Sequence, residues 1–323
     1  MVSFLKERSV PAVFWAVAIC LALHAFFWVT PPAVVAAPAD GLMYYLLQPF
    51  TKLPALVLTG LYFVIVIVQA LRINNVLNNN RMYAKATFTA ALSYILLTAL
   101  WPPCNNISSA LVVNSMVIWL LFRIVKLYNV KQPKALLYNI GLISGCAVLL
   151  YYPALGVVPF VFIALGVTRA FRVNEWLVLL LGIITPFYFW GCYLFLTDQL
   201  GTLKTLTALF YLHGITGAAK PMAVAFSGAG LLLLAGIIQW QSHRILLIQV
   251  RKTWAILLLM LMLLVPSVFL FKTAWPFALL LGCVPASALA ANAFFYPKGI
   301  LPSLLFWLIT AVIVYVNWLA YKN

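Results

Sequence analysis

Acidic residues are almost absent from this chain: Glu7, Asp40, Glu175 and Asp198 are the four in 323 residues. Charged residues of both signs make up 7%, against roughly 25% in soluble domains. No water-facing surface can be built from that supply, so lipid must be the main solvent. No polar stretch is long enough for a separate soluble domain, and residues 1–323 read as one integral membrane domain. Cysteine and histidine are equally sparse. The five cysteines form no CxxC pair, and all but Cys104 sit within apolar runs. His24, His213 and His243 lie far apart in sequence. A disulfide framework and a metal site are therefore not expected. Walker, GxSxG and HExxH sequences are missing, which removes the usual signals of ATP hydrolysis and of common hydrolases. The polar residues inside the apolar runs, such as Gln69, Asn114 and Asn292, carry no charge. Ion and proton pumps ordinarily need ionisable groups at that depth. Neither is an inverted repeat visible, which counts against a secondary transporter.

What is present is hydrophobic. Apolar residues make up 66% of the chain, and mean hydropathy is +1.10. Runs of spanning length fall at about 11–30, 53–71, 86–101, 108–124, 138–150, 153–168, 176–197, 221–240, 254–271, 275–295 and 301–321. The fold class is all-α, with about eleven transmembrane helices. Residues 34–39, VVAAPA, resemble a signal-peptidase site, but the apolar run before them exceeds a usual signal core, and a retained first helix is expected.

Net charge is +16. In a soluble protein this balance would suggest nucleic acid. Here the basic residues cluster between apolar runs, as orienting charges do in membrane proteins, and no nucleic-acid partner is expected. Placing the N-terminus inside puts fifteen of the twenty Lys and Arg on the cytoplasmic side. Lys52, Lys204, Lys220, Lys272 and Lys322 remain outside. That asymmetry predicts an N-in, C-out multi-pass protein of a bacterial inner membrane, with the bilayer as its first partner. Residues 31–52 then form an outer loop whose apolar part, GLMYYLLQPF, suits a short interfacial helix. Residues 198–220 form a second, longer outer loop.

Candidate chemistry gathers at the outer ends. Asp40 is the single acid of the first outer loop and could act as a general base or metal ligand. Equally, an Asp before Gly41 marks a turn. His213 and Lys220 share the long outer loop and could hold a phosphate. Asn105, after the third run, and Tyr151 and Tyr152, between the fifth and sixth, lie at the same depth. Aromatics there serve as belt residues by default. At the opposite end, Glu175 follows Arg172 by three residues, the spacing of a local helical pair. Gly141 and Gly145 have the GxxxG spacing of close helix packing.

The segments TFTAALSYILLTALWPP (87–103), SALVVNSMVIWLLFRIVKLYN (109–129) and LLYNIGLISGCAVLLYYPALGVVPFVFIALGVTRAFRVNEWLVLLLGIITPFYFW (136–190) resemble a family of polytopic inner-membrane proteins from Bacteroidota. Members carry a beta-carotene monooxygenase label, which requires an iron site of several histidines that the three scattered ones here do not supply. More loosely, the pattern GLxxGxAxLxxxP, met by Gly141, Leu142, Gly145, Ala147, Leu149 and Pro153, is similar to the membrane core of C-type glycosyltransferases. That resemblance implies transfer of a sugar from a polyprenyl-phosphate carrier at the outer face, with Asp40 as the catalytic carboxylate, a metal ligand or base. His213, Lys220, Tyr151, Tyr152 and Asn105, read from their place at the same outer rim, are the candidate substrate contacts. The pattern departs from that family at its acids. Asp40 stands alone where two are usual, and Asn105-Asn106 stand where one is expected. A second expectation therefore stands beside the first: a non-enzymatic subunit or scaffold of an envelope assembly, for protein secretion or glycoconjugate export, with other envelope proteins as partners. No cofactor is indicated.

Overall fold

The computed structural model describes residues 5–7, 10–37, 40–199, 220–242, 248–267 and 275–322. Within them the chain is a helical bundle. We number the principal helices α1 (Val10–Leu23), α2 (Ala55–Asn79), α3 (Thr89–Leu100), α4 (Ser109–Lys126), α5 (Lys134–Leu150), α6 (Val157–Thr168), α7 (Val173–Leu196), α8 (Lys220–Ser242), α9 (Ile248–Ser267), α10 (Leu280–Phe295) and α11 (Leu301–Lys322). Seven helices are long and apolar enough to cross a membrane, and α1, α3, α5 and α6 are shorter apolar helices. The described sheet structure is one parallel two-residue pair, β1 (Val34–Val35) with β2 (Ile107–Ser108).

Two helices form the centre. Every residue of α3 is buried, and so is α10 from Leu280 to Phe294 apart from Cys283. A helix that is hydrophobic all round belongs inside a protein, and both sequences fit. TAALSYILLTAL and LLGCVPASALAANAFF carry no charge, and small residues let neighbours approach. Their hydroxyls bond back along their own helices, Ser93 to Thr89 O at 2.9 Å, Thr98 to Ile95 O at 3.0 Å and Ser287 to Val284 O at 2.8 Å. They need no partner elsewhere. Tyr94 is the exception. Its hydroxyl donates to Gln69 Oε1 of α2 at 2.6 Å and accepts from Asn114 Nδ2 of α4 at 2.8 Å. Gln69 Nε2 in turn donates to Leu111 O and Ser115 Oγ, each at 2.7 Å. This polar ladder registers α2, α3 and α4 across the apolar interior, where such bonds contribute about 0.6 kcal/mol each and up to about 2.

Glycines set the closest crossings. A Cβ on Gly141 or Gly145 would collide with the carbonyls of Leu179 or Ile183, and one on Gly182 would sit 2.5 Å from Tyr138 O. Helices α5 and α7 thus meet backbone to backbone, which is the packing expected of the 141–145 spacing. Gly236 of α8 meets the Leu289 carbonyl of α10 in the same way.

Connections gather at two ends. At one, Leu5 O accepts from Phe88 N at 2.8 Å and Thr87 Oγ1 at 2.9 Å, and Lys6 Nζ donates to Pro297 O at 2.6 Å. Arg169 is the second staple there. Its Nε donates to Glu175 Oε2 at 3.0 Å, and its Nη1 to Val130 O at 2.7 Å and Leu127 O at 3.2 Å. Arg172, three residues before Glu175, approaches it only to 3.9 Å and is largely exposed. The local pair read from sequence is therefore the weaker of two, because the bend after α6 turns Arg169 inward beneath the α4–α5 connection. Helix α2 also runs farther than its hydrophobicity suggests, to Asn79 rather than 71. Ile73, Val76 and Leu77 extend its buried face. Asn78 Nδ2 and Oδ1 clasp Thr87 O at 2.8 Å and Thr87 N at 3.1 Å. The Asn-rich stretch RINNVLNNN (72–80), which lies beyond the apolar run at 53–71, is thus mostly helix.

Replacing Arg169 by Ala leaves Glu175 buried without its main partner, a loss of about 3 kcal/mol. Arg172→Ala should cost no more than about 1 kcal/mol. Thermal unfolding in detergent should separate the two; equal losses would refute the staple. Gly145→Leu should split α5 from α7 and expose α7 to protease. Gly60→Ala, which meets nothing within 4 Å, should be neutral or stabilising by up to about 1 kcal/mol.

Candidate functional site

Asp40 sits at the other end of the bundle, where three connections converge. The first is the segment after α1. Ala33 N donates to Asn106 Oδ1 at 3.1 Å, and Ile107 N donates to Ala33 O at 2.9 Å. Through β1 and β2 the segment is then laid along the entry to α4, where Ser108 Oγ caps Leu111 N at 3.2 Å. The second contact is with the C-terminal end of α5. Gly41 takes φ +112°, and a Cβ there would lie 2.8 Å from Leu150 O. Leu42 N donates to Leu149 O at 3.2 Å. Only glycine tolerates both the backbone angle and the approach. The third is the turn from α5 to α6, Tyr151 to Gly156, on which α9 packs. Ser267 Oγ donates to Pro153 O at 3.1 Å, and a Cβ on Gly156 would meet Leu263 O at 2.6 Å.

Within this junction Asp40 is 7% exposed. Its Oδ2 accepts from Ala37 N at 3.0 Å and from Ser109 Oγ at 2.9 Å, while its own N–H donates to Ala37 O at 2.8 Å. The carboxylate closes a tight turn on one side and holds the first turn of α4 on the other. Burial raises its pKa above the ordinary carboxylate range, and the two hydrogen bonds draw it partly back. Tyr151 is buried beside it. Burial holds that phenol well above its usual pKa, and the Asp40 charge adds to the effect.

The remaining candidates are dispersed. Tyr152 is half-buried, its pKa raised by burial and then by Tyr45 of the short helix Met43–Leu47. Asn105 is buried and turns to α11, its Nδ2 donating to Asn317 Oδ1 at 2.9 Å. Asn317 itself holds Ile313 O and Ala99 O. Lys220 opens α8, and His213 lies outside the described residues. The structure thus joins Asp40 with Tyr151 and Ser109, and directs Asn105 to a different helix. Among the described residues, no group of three His, Cys, Asp or Glu could hold a metal ion. His24, buried against Phe27 and Tyr62, has both ring nitrogens engaged. Nδ1 must donate to Cys20 O at 2.8 Å, which leaves Nε2 to accept from Tyr62 OH at 3.2 Å.

The chain matches no model of a known protein family and no curated protein sequence. Its chemistry must be argued from its own geometry.

That geometry has a second region, which the reading of residues did not single out. Cavities lined by described residues lie toward the basic end, away from Asp40. One of about 500 Å³ runs between α2 and α4 past Gln69, Arg72, Asn75, Ser115, Trp119 and Phe122. Another of about 510 Å³ lies on the other flank of α2 and shares Val68, Arg72 and Asn75 with the first. The signal was present in the sequence. Gln69, Arg72, Asn75 and Asn79 recur at helical spacing, as do Ser115, Trp119 and Phe122, but each set is completed only by the other helix.

Because burial raises the Asp40 pKa, the folded state binds its proton more tightly than the unfolded chain. Its contribution to stability is full below the ordinary carboxylate range and falls as pH rises through the raised folded value. Stability of the wild type, measured from pH 3 to 8 (on the order of the range spanned by carboxyl pKa values), should therefore carry a downward step that Asp40→Asn lacks. A step of equal size in the variant would assign it to another group.

Proposed function

We propose that this chain is an eleven-span, N-in and C-out protein of a bacterial inner membrane, acting as a non-catalytic membrane subunit of an envelope assembly. One observation carries the reading. The carboxylate that sugar transfer would need is buried and bonded to its own fold, to Ala37 N–H and Ser109 Oγ. A catalytic base needs reach to a substrate proton, and Asp40 is instead placed to pin the first loop to α4. The ion pairs among the described residues, Arg169 and Arg172 with Glu175, lie at the opposite end.

The periphery supports the same reading. Helix α7 packs chiefly on α5 and exposes Tyr188, Phe189, Tyr193 and Phe195; α11 exposes Trp307, Tyr315 and Trp318. Such faces suit lipid or the helices of a neighbouring membrane protein. Large aromatics offer wide contact area at low entropic cost. The positive-inside count supports the orientation, with the Asp40 end outside.

The test is copurification of the full tagged chain in mild detergent, read by native gel and mass spectrometry. A stoichiometric envelope protein should accompany it, and Asp40→Asn should keep that complex. A monomer carrying a polyprenyl-linked sugar, with sugar transfer abolished in Asp40→Asn, would reverse the reading in favour of a C-type glycosyltransferase-like enzyme.

A further inference from the structure

The groove between α2 and α4 has the layout of a lipid site. Its floor is polar but internally satisfied: Gln69 Nε2 bonds Leu111 O and Ser115 Oγ, and its Oε1 accepts from Tyr94. Its walls are apolar and open sideways, Val68 being 49% and Trp119 46% exposed. Its mouth is basic. Arg72 is exposed on α2. On α4 the Arg123 guanidinium lies 5.5 Å over the Trp119 ring and Lys126 Nζ lies 4.0 Å over Phe122. Arg123 Nε is shut off from solvent and has no hydrogen-bond partner. A covered guanidinium donor calls for an anionic oxygen. No acid among the described residues answers it, since Glu175 is taken by Arg169.

Length decides the occupant. From Val68 to Asn79, the limits of the groove on α2, eleven helical steps span about 16 Å. That is about half of a bilayer core some 30 Å thick, the depth of one leaflet. The volume is in the range of pockets that enclose small ligands. A free phosphate would use only the mouth and leave the apolar walls uncovered.

We propose that this groove binds a phospholipid of the adjoining leaflet, its phosphate held by Arg72 and Arg123 beside Asn75, its acyl chain lying along Val68, Trp119 and Phe122. The site is independent of Asp40 and of any protein partner. It selects anionic headgroups, because Arg72 lines the groove and Arg123 lies over the Trp119 ring of its wall, neither of them paired with an acid among the described residues.

The test uses the full chain purified in detergent and supplied with phosphatidylglycerol or phosphatidylcholine, with bound lipid read by native mass spectrometry. Wild type should retain phosphatidylglycerol in preference to phosphatidylcholine. Arg72→Gln with Arg123→Gln should cut that retention by about tenfold, the least expected for losing charge-assisted bonds. Lys52→Gln, on an exposed loop at the Asp40 end, should leave it unchanged. Arg72→Gln alone, at an exposed position, keeps the experiment decisive if the double variant fails to fold, and should weaken retention severalfold. Undiminished retention in the variants, equal retention of both lipids, or displacement of phosphatidylglycerol by millimolar inorganic phosphate would each overturn the proposal. The same holds if the groove is occupied by a copurifying protein.

Discussion

The fold depends on two helices that have no outside. With α3 buried throughout and α10 nearly so, the polar groups they carry depend on partners within the protein, because neither water nor lipid reaches them; Asn292 Oδ1 of α10 finds none. The hydroxyls of Ser93, Thr98 and Ser287 meet that demand locally, on carbonyls one turn back. Tyr94 cannot do so, because its hydroxyl stands too far from its own backbone. It therefore recruits Gln69 and Asn114 from the helices on either side. One tyrosine thereby fixes the register of α2 and α4, and with it the stripe of residues each turns toward the other. The groove at the basic end is a consequence: below the ladder the two helices are held in register, while their longer side chains keep them apart.

The two ends solve different problems. At the Asp40 end the described connections carry few charges, and they are fixed by backbone contacts. Gly41 lies on the Leu150 carbonyl, β1 pairs with β2, and one carboxylate holds two donors. At the basic end positive charge is plentiful and acid scarce. A single glutamate answers Arg169, which also reaches two backbone carbonyls, and most of the other cations are left at the surface. An excess of unpaired positive charge is tolerable there only next to water or anionic headgroups. Charge asymmetry, which first appears as a rule of orientation, is thus also a statement about where the molecule can take an anionic ligand.

Much of the architecture could be read in the sequence because lipid simplifies the code. Runs of apolar residues become helices whichever side they face, and each of the eleven runs overlaps one of the principal helices. The GxxxG spacing at 141–145 located a close crossing because no other residue fits backbone against backbone. What resisted reading was partnership. The Asn-rich stretch after residue 72 looked like a loop by hydropathy, yet Asn78 clasps Thr87 and the buried face of α2 continues past it. Arg172 looked like the partner of Glu175 by spacing, but the bend after Thr168 favours Arg169. Asp40 was visible as a lone acid. That Ser109 and Ala37 would claim it depends on pairing residues 34–35 with 107–108, which no periodicity announces.

Those failures share a cause, and it bears on how Asp40 should be weighed. A lone polar residue in an apolar sequence is conspicuous for either of two reasons, that it meets a ligand or that it meets the fold. The two are distinguished by whether its hydrogen-bonding capacity is already used. Asp40 Oδ2 takes two donors from its own chain, and His24 has both nitrogens occupied. His24 behaves as a structural clasp, and Asp40 does so through one of its two oxygens. Arg123 is the opposite case: a partly buried cation with a covered nitrogen and no acceptor, at the edge of a cavity. In a protein with so few acids, the polar atom that its own fold leaves unanswered is a better guide to binding than the acid that stands alone in the sequence.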